Sequence, residues 1–206
     1  MTDSFLDIRS LSKRYGARVI FDRFSQQFES GCHGVIGPNG VGKSTLLSIL
    51  GGSEPFQAGS IRLAEAELGD PDGAYLKQTG YCPDRLSFYP FLTVREFWGL
   101  AAGIRGLPVP DASHVLVQGL NLAREINTRL DALSLGTQKK VLLVTALIHG
   151  PALLLLDEPT DELDATSARF LTHHLKRMEG TITIISTHDE TLLADRSDEY
   201  LTAVVN

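Results

Sequence analysis

The residues most informative about chemistry form a glycine-rich run that ends in lysine and serine. A strand predicted at Cys32 to Ile36 leads into the run, and a helix predicted at Ser44 to Leu50 follows it. Glycines let successive backbone N–H groups turn toward one anion, and a helix start adds partial positive charge. The pattern is typical of a loop that binds nucleotide phosphates. The alternative is an ordinary glycine-rich turn between a strand and a helix. The run comprises Gly37, Pro38, Asn39, Gly40, Val41, Gly42, Lys43 and Ser44.

Two adjacent carboxylates, Asp157 and Glu158, form the second group of residues that could carry out chemistry. They follow the apolar run Ala152 to Leu156, which is typical of a parallel strand buried on both faces. From this position Asp157 could orient Mg²⁺ between phosphates, and Glu158, which points elsewhere, could polarise an attacking water. The alternative is a solvated strand end without a catalytic role.

The order of predicted elements brings these groups together. A β-branched strand is predicted at Thr181 to Ile185, and Ser186, Thr187 and His188 follow it. Ligands bind at the carboxyl ends of parallel strands, so we expect the loop, the acid pair and this segment to share one edge of a sheet. The rest of the chain supports coarser predictions. Short strands are predicted over residues 4–30, and helical periodicity with Gly/Pro breaks runs from about 93 to 150. Thr93, followed three residues later by Glu96, predicts a capping box at a helix start. Asp164 is a candidate cap for a helix that runs to about Met178.

Composition narrows the classes of partner. The chain has 206 residues, a formal net charge of −6 and 43% hydrophobic residues. Because Lys and Arg form no stripe, we expect no nucleic-acid partner. The longest apolar runs are too short to cross a bilayer, and the first residues lack the layout of a secretory signal. Cys32 and Cys82 have no metal-ligand spacing and suit a reducing cytosol as small buried residues.

Taken in order, the motifs resemble the nucleotide-binding domain of ABC ATPases over essentially the whole chain. A phosphate loop alone would indicate only the wider NTPase class, whereas the ordered set with its Asp-Glu-Pro-Thr step is highly specific. The segments that carry the resemblance are Tyr15, Gly37 to Thr45, Gly80 to Pro83, Leu133 to Gly136, Leu155 to Thr160, and Ser186 to Asp189.

The resemblance implies a role for each matching position. Tyr15 corresponds to the aromatic residue that stacks on adenine, although it could instead be a core tyrosine at a strand end. Ser134 and Gly136 correspond to the signature that contacts the γ-phosphate held by a second subunit, with a helix predicted to start at Gly136. The remaining roles are phosphate and Mg²⁺ binding by Lys43, Ser44 and Thr45, metal support by Asp157, general base catalysis by Glu158, and γ-phosphate sensing by His188.

The chain departs from the family pattern at three positions and in the run Thr160 to Glu162, which is more acidic than usual. Asp84 stands where the family usually has a glutamine that contacts Mg²⁺ or water; a carboxylate could hold Mg²⁺ but adds negative charge beside the phosphates. Leu135 replaces the first signature glycine, which is tolerable if its backbone stays out of the left-handed region. Thr137 replaces a glutamine. These changes leave a slow enzyme or one half of an unequal pair open.

The resemblance also implies an architecture and a function. It implies an α/β P-loop NTPase fold with a mostly parallel core sheet, an N-terminal antiparallel β subdomain and a small helical subdomain. We expect one domain over 1–206, with the ATP-binding core at about 1–83 and 151–206 and the helical part at about 84–150. The expected protein is an ATPase that takes ATP and Mg²⁺ as a homo- or heterodimer and drives a separate permease, of a compact exporter type. It would be cytoplasmic and peripheral on the inner face of the cell membrane.

Two alternatives belong to other functional classes. One is a soluble ABC ATPase that acts on a macromolecular assembly, and the other is a nucleotide-binding regulator with weak or no hydrolysis. The resemblance implies that the region beyond Asp84 receives a coupling helix of a membrane permease, and aromatic anchors suit such a docking groove. The candidates are Phe88, Tyr89 and Phe91; Phe97 and Trp98 fit better as the core of the helical part.

Overall fold

The computed structural model describes residues 5–85, 89–187 and 200–202. An antiparallel sheet near the N-terminus has the order β2-β1-β4-β5. Its long strands pair through Leu6 with Phe28 and Tyr15 with Arg18, so their connecting turn lies at residues 16–17. The strands are β1 (Leu6–Tyr15), β2 (Arg18–Phe28), β4 (Ala58–Leu63) and β5 (Ala66–Glu67).

The prediction of strands over residues 4–30 is confirmed, but their predicted short length is wrong, because two strands of 10 and 11 residues span this region. The reason is visible in their pairing. Register shifts interrupt the β1–β2 ladder, and Ser10 and Arg23 adopt positive φ angles of 49° and 53°. Each irregularity breaks the alternation of inward and outward side chains, so one strand has the sequence pattern of two.

A five-stranded sheet forms the centre of the chain. Its strand order is β6-β7-β8-β3-β9, and every pair is parallel. β7 is buried along its whole length, as predicted for a strand covered on both faces. The strands are β3 (Gly31–Ile36), β6 (Thr79–Cys82), β7 (Leu153–Asp157), β8 (Ile182–Ser186) and β9 (Tyr200–Thr202). With the antiparallel sheet and the helices, this arrangement confirms the predicted α/β P-loop fold class.

Helices cover the sheet and occupy the segment between β6 and β7. Helix α5 starts at Leu135, one residue before the predicted start, because the Ser134 hydroxyl caps it by accepting from the Thr137 N–H. Thr93 and Glu96 form the predicted capping box on α3. The helices are α1 (Lys43–Leu50), α2 (Ala74–Lys77), α3 (Val94–Gly103), α4 (Val115–Gly119), α5 (Leu135–Leu147) and α6 (Ala165–Leu175), with a 3₁₀ turn at Leu130–Ala132.

Two hydrophobic cores lie on opposite faces of β7. Leu153 and Leu155 pack with α1 and the antiparallel sheet, whereas Leu154 and Leu156 pack with the helices between β6 and β7. Trp98 is 1% exposed in the second core, where its indole N–H donates to the Val141 carbonyl at 3.2 Å. The prediction that Phe97 and Trp98 are core residues is confirmed. Cys32 and Cys82 are both buried, as predicted, and neither forms a disulfide among the described residues.

Candidate functional site

The glycine-rich loop lies between the end of β3 and the start of α1, as predicted. Gly42, with φ 112°, is the residue from which α1 begins, and no side chain of the described residues caps that helix. Its first-turn N–H groups therefore have no side-chain partner and face the loop. The Val41 N–H donates to the Pro38 carbonyl at 3.3 Å and closes the loop into a turn. The backbone thus forms a concave surface rich in donors, which suits a phosphate.

Lys43 supplies a cation inside this loop. Its side chain is 7% exposed and folds back so that Nζ donates to the Gly37 carbonyl at 2.7 Å. A neutral carbonyl leaves the positive charge of the ammonium uncompensated, so an anion that enters the loop meets both the cation and the backbone N–H groups.

Asp157, the last residue of β7, connects this loop to the neighbouring strands. Its Oδ1 accepts from the Ser44 hydroxyl at 3.1 Å and also from the Ser186 hydroxyl at the end of β8. Asp157 is 2% exposed. Mg²⁺ prefers oxygen ligands such as hydroxyl and carboxylate groups. Ser44 and Asp157 therefore fit a magnesium site that nucleotide phosphates would complete.

Glu158 directs its carboxylate away from Asp157 because its backbone differs. Its φ is +44°, in the left-handed region that non-glycine residues rarely adopt. The Glu158 N–H donates to the Ser186 carbonyl at 3.0 Å, which holds this conformation. Such backbone strain costs about 1–3 kcal/mol and persists where the surrounding structure fixes it. The side chain is 9% exposed and faces the same cleft as Lys43.

These groups surround a cleft of about 390 Å³. Tyr15 lies at its edge and is 46% exposed, so it is not a core side chain, and the Lys13 ammonium lies 4.4 Å from its ring centre. The structure thus leaves Tyr15 available for the predicted contact with a base. The predicted residues that line the cleft are Tyr15, Asn39, Gly40, Gly42, Lys43, Ser44, Thr45, Asp84 and Glu158.

Asp84 faces the cleft from the segment that follows β6. Its carboxylate is 46% exposed and lies between two cations, Arg85 and Lys139. Gln78 is the glutamine closest to Asp84 in the sequence, and its amide donates to the Ala74 carbonyl in its own segment, at 3.0 Å. The metal role of Asp84 remains a prediction.

The signature residues lie outside this cleft. Ser134 caps α5, and Leu135 is helical and 64% exposed, so no left-handed backbone is needed there. Gly136 packs against the loop after Glu158: a Cβ at this position would lie 2.3 Å from the Glu162 carbonyl oxygen. That contact requires a glycine even without a nucleotide. The predicted contact of Ser134 and Gly136 with a second subunit remains a prediction, and His188 lies outside the described residues.

Three residues that line the cleft were not predicted, namely Arg18, Ile20 and Asp161. Arg18 donates from Nη2 to the Gly40 carbonyl, and Asp161 lines the cleft beside Glu158. The signal for Arg18 was the turn after Tyr15, because a tight hairpin places the residue that starts β2 beside the one that ends β1. Asp161 stands out only as part of an acidic run.

Within the described ranges, no helix has the length and apolarity needed to span a membrane. Burial raises the pKa of the Cys82 thiol to about 12, so this thiol stays protonated at neutral pH and is not a reactive nucleophile.

Comparisons with known proteins agree with the geometry of the cleft. The sequence model of the family described as ABC transporter matches residues 22–161. The Nod factor export ATP-binding protein I of Burkholderia lata is 30% identical over 197 residues, which are 89% of this chain and 62% of that protein. The Fe(3+) ions import ATP-binding protein FbpC of Pseudomonas fluorescens is 35% identical over 193 residues, 90% of this chain and 55% of that protein.

A solved structure described as an ATP binding subunit of an ABC transporter has a similar fold. It superposes with a TM-score of 0.85 and 26% identity, over 96% of this chain and 85% of that one. This chain spans 60% and 62% of the length of the first two curated relatives that it matches.

Proposed function

This chain belongs to the ABC transporter family, and from that premise we propose that it binds and hydrolyses ATP as the nucleotide-binding subunit of a membrane transporter. The observation that carries the proposal is the convergence of Lys43, Glu158 and the Ser44–Asp157 pair on one cleft at the ends of parallel strands. The names of the two relatives, both ATP-binding proteins of transport systems, support it.

In the proposed reaction each group acts from its observed position. The N–H groups at the start of α1 and the Lys43 ammonium bind the outer phosphates. Mg²⁺ would neutralise charge that develops on the phosphates. Ser44 and Asp157 would hold that ion, and Asp84 would add a carboxylate oxygen from the segment after β6. Glu158 accepts a proton from the attacking water at its carboxylate.

We place a second subunit across the cleft. Ser134 and Gly136 start a helix whose N-terminal N–H groups suit an anion, yet they do not line the cleft of their own chain. A two-fold pair would bring the signature of each protomer to the nucleotide of the other. A homo- or heterodimer that closes on two Mg–ATP is therefore part of the proposal.

The transporter partner is proposed from exposed aromatic side chains. Tyr89 and Phe91 are 55% and 60% exposed and contact each other edge to face, with ring centres 5.9 Å apart. Large rings that lie outside the core are typical anchors for a partner helix. We propose that a permease docks here, which would place the protein on the inner face of the cell membrane. The exporter type is part of this proposal, and one relative named for export supports it.

Replacement of the base tests hydrolysis separately from binding. Glu158→Gln keeps the size of the side chain but removes its proton acceptor, so phosphate release should fall by at least about 100-fold. ATP binding and an ATP-dependent dimer, measured by calorimetry and light scattering, should persist. The matched control is Glu65→Gln, at an exposed position in the turn between β4 and β5. Equal phosphate release by the wild-type protein and Glu158→Gln would contradict the proposed mechanism.

A further inference from the structure

Lys139 is a buried cation in helix α5, one turn after the signature residues. Its side chain is 3% exposed, and its ammonium donates to three backbone carbonyls that belong to two other segments. The distances are 2.6 Å to Asp157, 3.1 Å to Pro83 and 3.2 Å to Asp84. One side chain therefore joins α5, the end of β7 and the segment after β6.

These three acceptors are neutral, so they satisfy the N–H groups of Lys139 without cancelling its charge. A buried charge is costly unless an opposite charge lies nearby. Among the described residues, the carboxylate oxygen that lies within 4 Å of the ammonium is Oδ1 of Asp84, at 3.9 Å.

The Asp84 carboxylate adds negative charge to a cleft that is proposed to bind an anion. This carboxylate lines the cleft together with Glu158 and Asp161, whereas the cations there are Lys43 and Arg18. A triphosphate that enters the cleft is repelled by each carboxylate that is not neutralised. Arg85 is the other cation beside Asp84, at 3.6 Å, but it is 89% exposed, and solvent screens such a pair strongly. Lys139 approaches from the buried side, where screening is weak.

We propose that Lys139 is a positioning residue for the nucleotide site: it holds the Asp84 carboxylate in place and neutralises it, so that an acid can face the triphosphate. This inference rests on the proposed function, because it takes ATP as the ligand of the cleft. It gives Asp84 a charged partner. It also connects α5 to the nucleotide site of its own chain, because Lys139 contacts the end of β7 and the segment after β6.

A double-mutant cycle on the full chain tests the pair. The four proteins are wild type, Asp84→Asn, Lys139→Met and the double variant. Calorimetry with ATP in excess EDTA measures nucleotide binding without any contribution from a metal ion. Lys139→Met should weaken ATP binding about tenfold when Asp84 is present and less than about threefold in the Asp84→Asn background, because contacting charges couple. The same factor in both backgrounds would overturn the pairing.

Controls separate this effect from its alternatives. Arg85→Met removes the exposed cation beside the same carboxylate and should leave ATP affinity within about twofold. Lys139→Arg keeps the charge and should stay close to wild type. If Lys139→Met does not fold, folding of the double variant supports the pair, since the damage came from the unpaired carboxylate; failure of both overturns it. A wild-type chain that binds no ATP defeats the proposed function itself.

Discussion

At the scale of single residues, the site depends on the different backbone conformations of Asp157 and Glu158 at the end of β7. Asp157 continues the strand and reaches Ser44, whereas the positive φ of Glu158 sends the next side chain into the cleft. Ser186 supports both arrangements, since its hydroxyl donates to Asp157 and its carbonyl accepts from the Glu158 N–H. β8, which lies between β7 and β3, therefore contributes to the site through the hydrogen bonds of Ser186.

Ser186→Ala should weaken Mg²⁺ binding in the proposed ATPase reaction. The substitution leaves the buried Asp157 carboxylate with one donor fewer, a loss of about 1–2 kcal/mol. The Mg²⁺ concentration for half-maximal ATPase activity should rise several-fold, measured at saturating ATP. Ser53→Ala, at an exposed position after α1, is the control. An unchanged magnesium requirement in Ser186→Ala would show that Ser44 alone orients Asp157.

Gly42→Ala should destabilise the chain by more than the cost of its backbone angle. A Cβ there would lie 2.8 Å from Ile20 Cγ2, in addition to the strain of φ 112°. Gly69 provides a matched control, because it has φ 107° with no atom within 4 Å of its would-be Cβ. Gly69→Ala should cost about 1 kcal/mol and Gly42→Ala about 2–3 kcal/mol in urea unfolding. Equal losses would mean that Ile20 moves aside without cost.

At the scale of elements, the clearest sequence signals were caps and buried strands. Thr93 with Glu96, and Asp164 before α6, predicted helix starts because their side chains satisfy N–H groups that the helix leaves open. The apolar run before Asp157 predicted β7 for a similar reason, since no exposed face could accept it. Helix ends were harder: α6 was expected to reach Met178 and ends at Leu175.

Asp164→Ala should lower the free energy of unfolding by about 1 kcal/mol. The Asp164 carboxylate accepts from the N–H groups of Thr166 and Ser167 and pairs with Lys140 at 2.6 Å. Lys140 and the capping hydrogen bonds lower the Asp164 pKa in the folded chain. The stabilisation is therefore present when the pH is above the ordinary pKa of an aspartate, and it is lost as the pH falls below that pKa. Asp164→Asn keeps an N-cap acceptor and is the control. Urea unfolding at pH 7 measures both, and an Asp164→Ala loss no larger than that of Asp164→Asn would indicate that the cap contributes little.

At the scale of the whole molecule, His149 makes the junction between α5 and the sheet edge sensitive to pH. Both ring nitrogens are buried without a hydrogen-bond partner among the described residues. Burial, together with nearby Arg105, lowers the His149 pKa to about 4. In the unfolded chain His149 would bind a proton near pH 6.5, whereas in the folded chain it stays neutral until about pH 4. The free energy of unfolding should therefore decrease as the pH drops from about 7 toward 4.

His149→Asn should reduce this acid sensitivity. The expected difference in unfolding free energy between pH 7 and pH 4.5 is about 1 kcal/mol smaller than in wild type, after allowance for partial solvent exposure. His173→Asn, at an exposed position on α6, should leave the pH profile unchanged. Thermal melts across this range measure the slope, and parallel profiles for wild type and His149→Asn would contradict the assignment.

The sequence located most of the cleft because its motifs are local, and it missed what depends on packing between distant segments. The phosphate loop and the Asp157–Glu158 step each carry their own spacing, so they were found without a structure. Arg18 reaches Gly40 only because a hairpin stands beside the loop. Lys139 meets Asp84 across 55 positions, and no pattern of spacing in one sequence reports such a contact.

The strand order has a consequence for how the protein is made. Both neighbours of β3 in the sheet, β8 and β9, are encoded after residue 181, whereas β3 itself ends at residue 36. A growing chain leaves the ribosome from its N-terminus, so β3 cannot pair with β8 or β9 until the segment after residue 181 has been made. Ladders closed over so many positions form slowly. The hairpin of β1 and β2 can pair early, while the strand that leads into the glycine-rich loop pairs only after more than 140 further residues have been added.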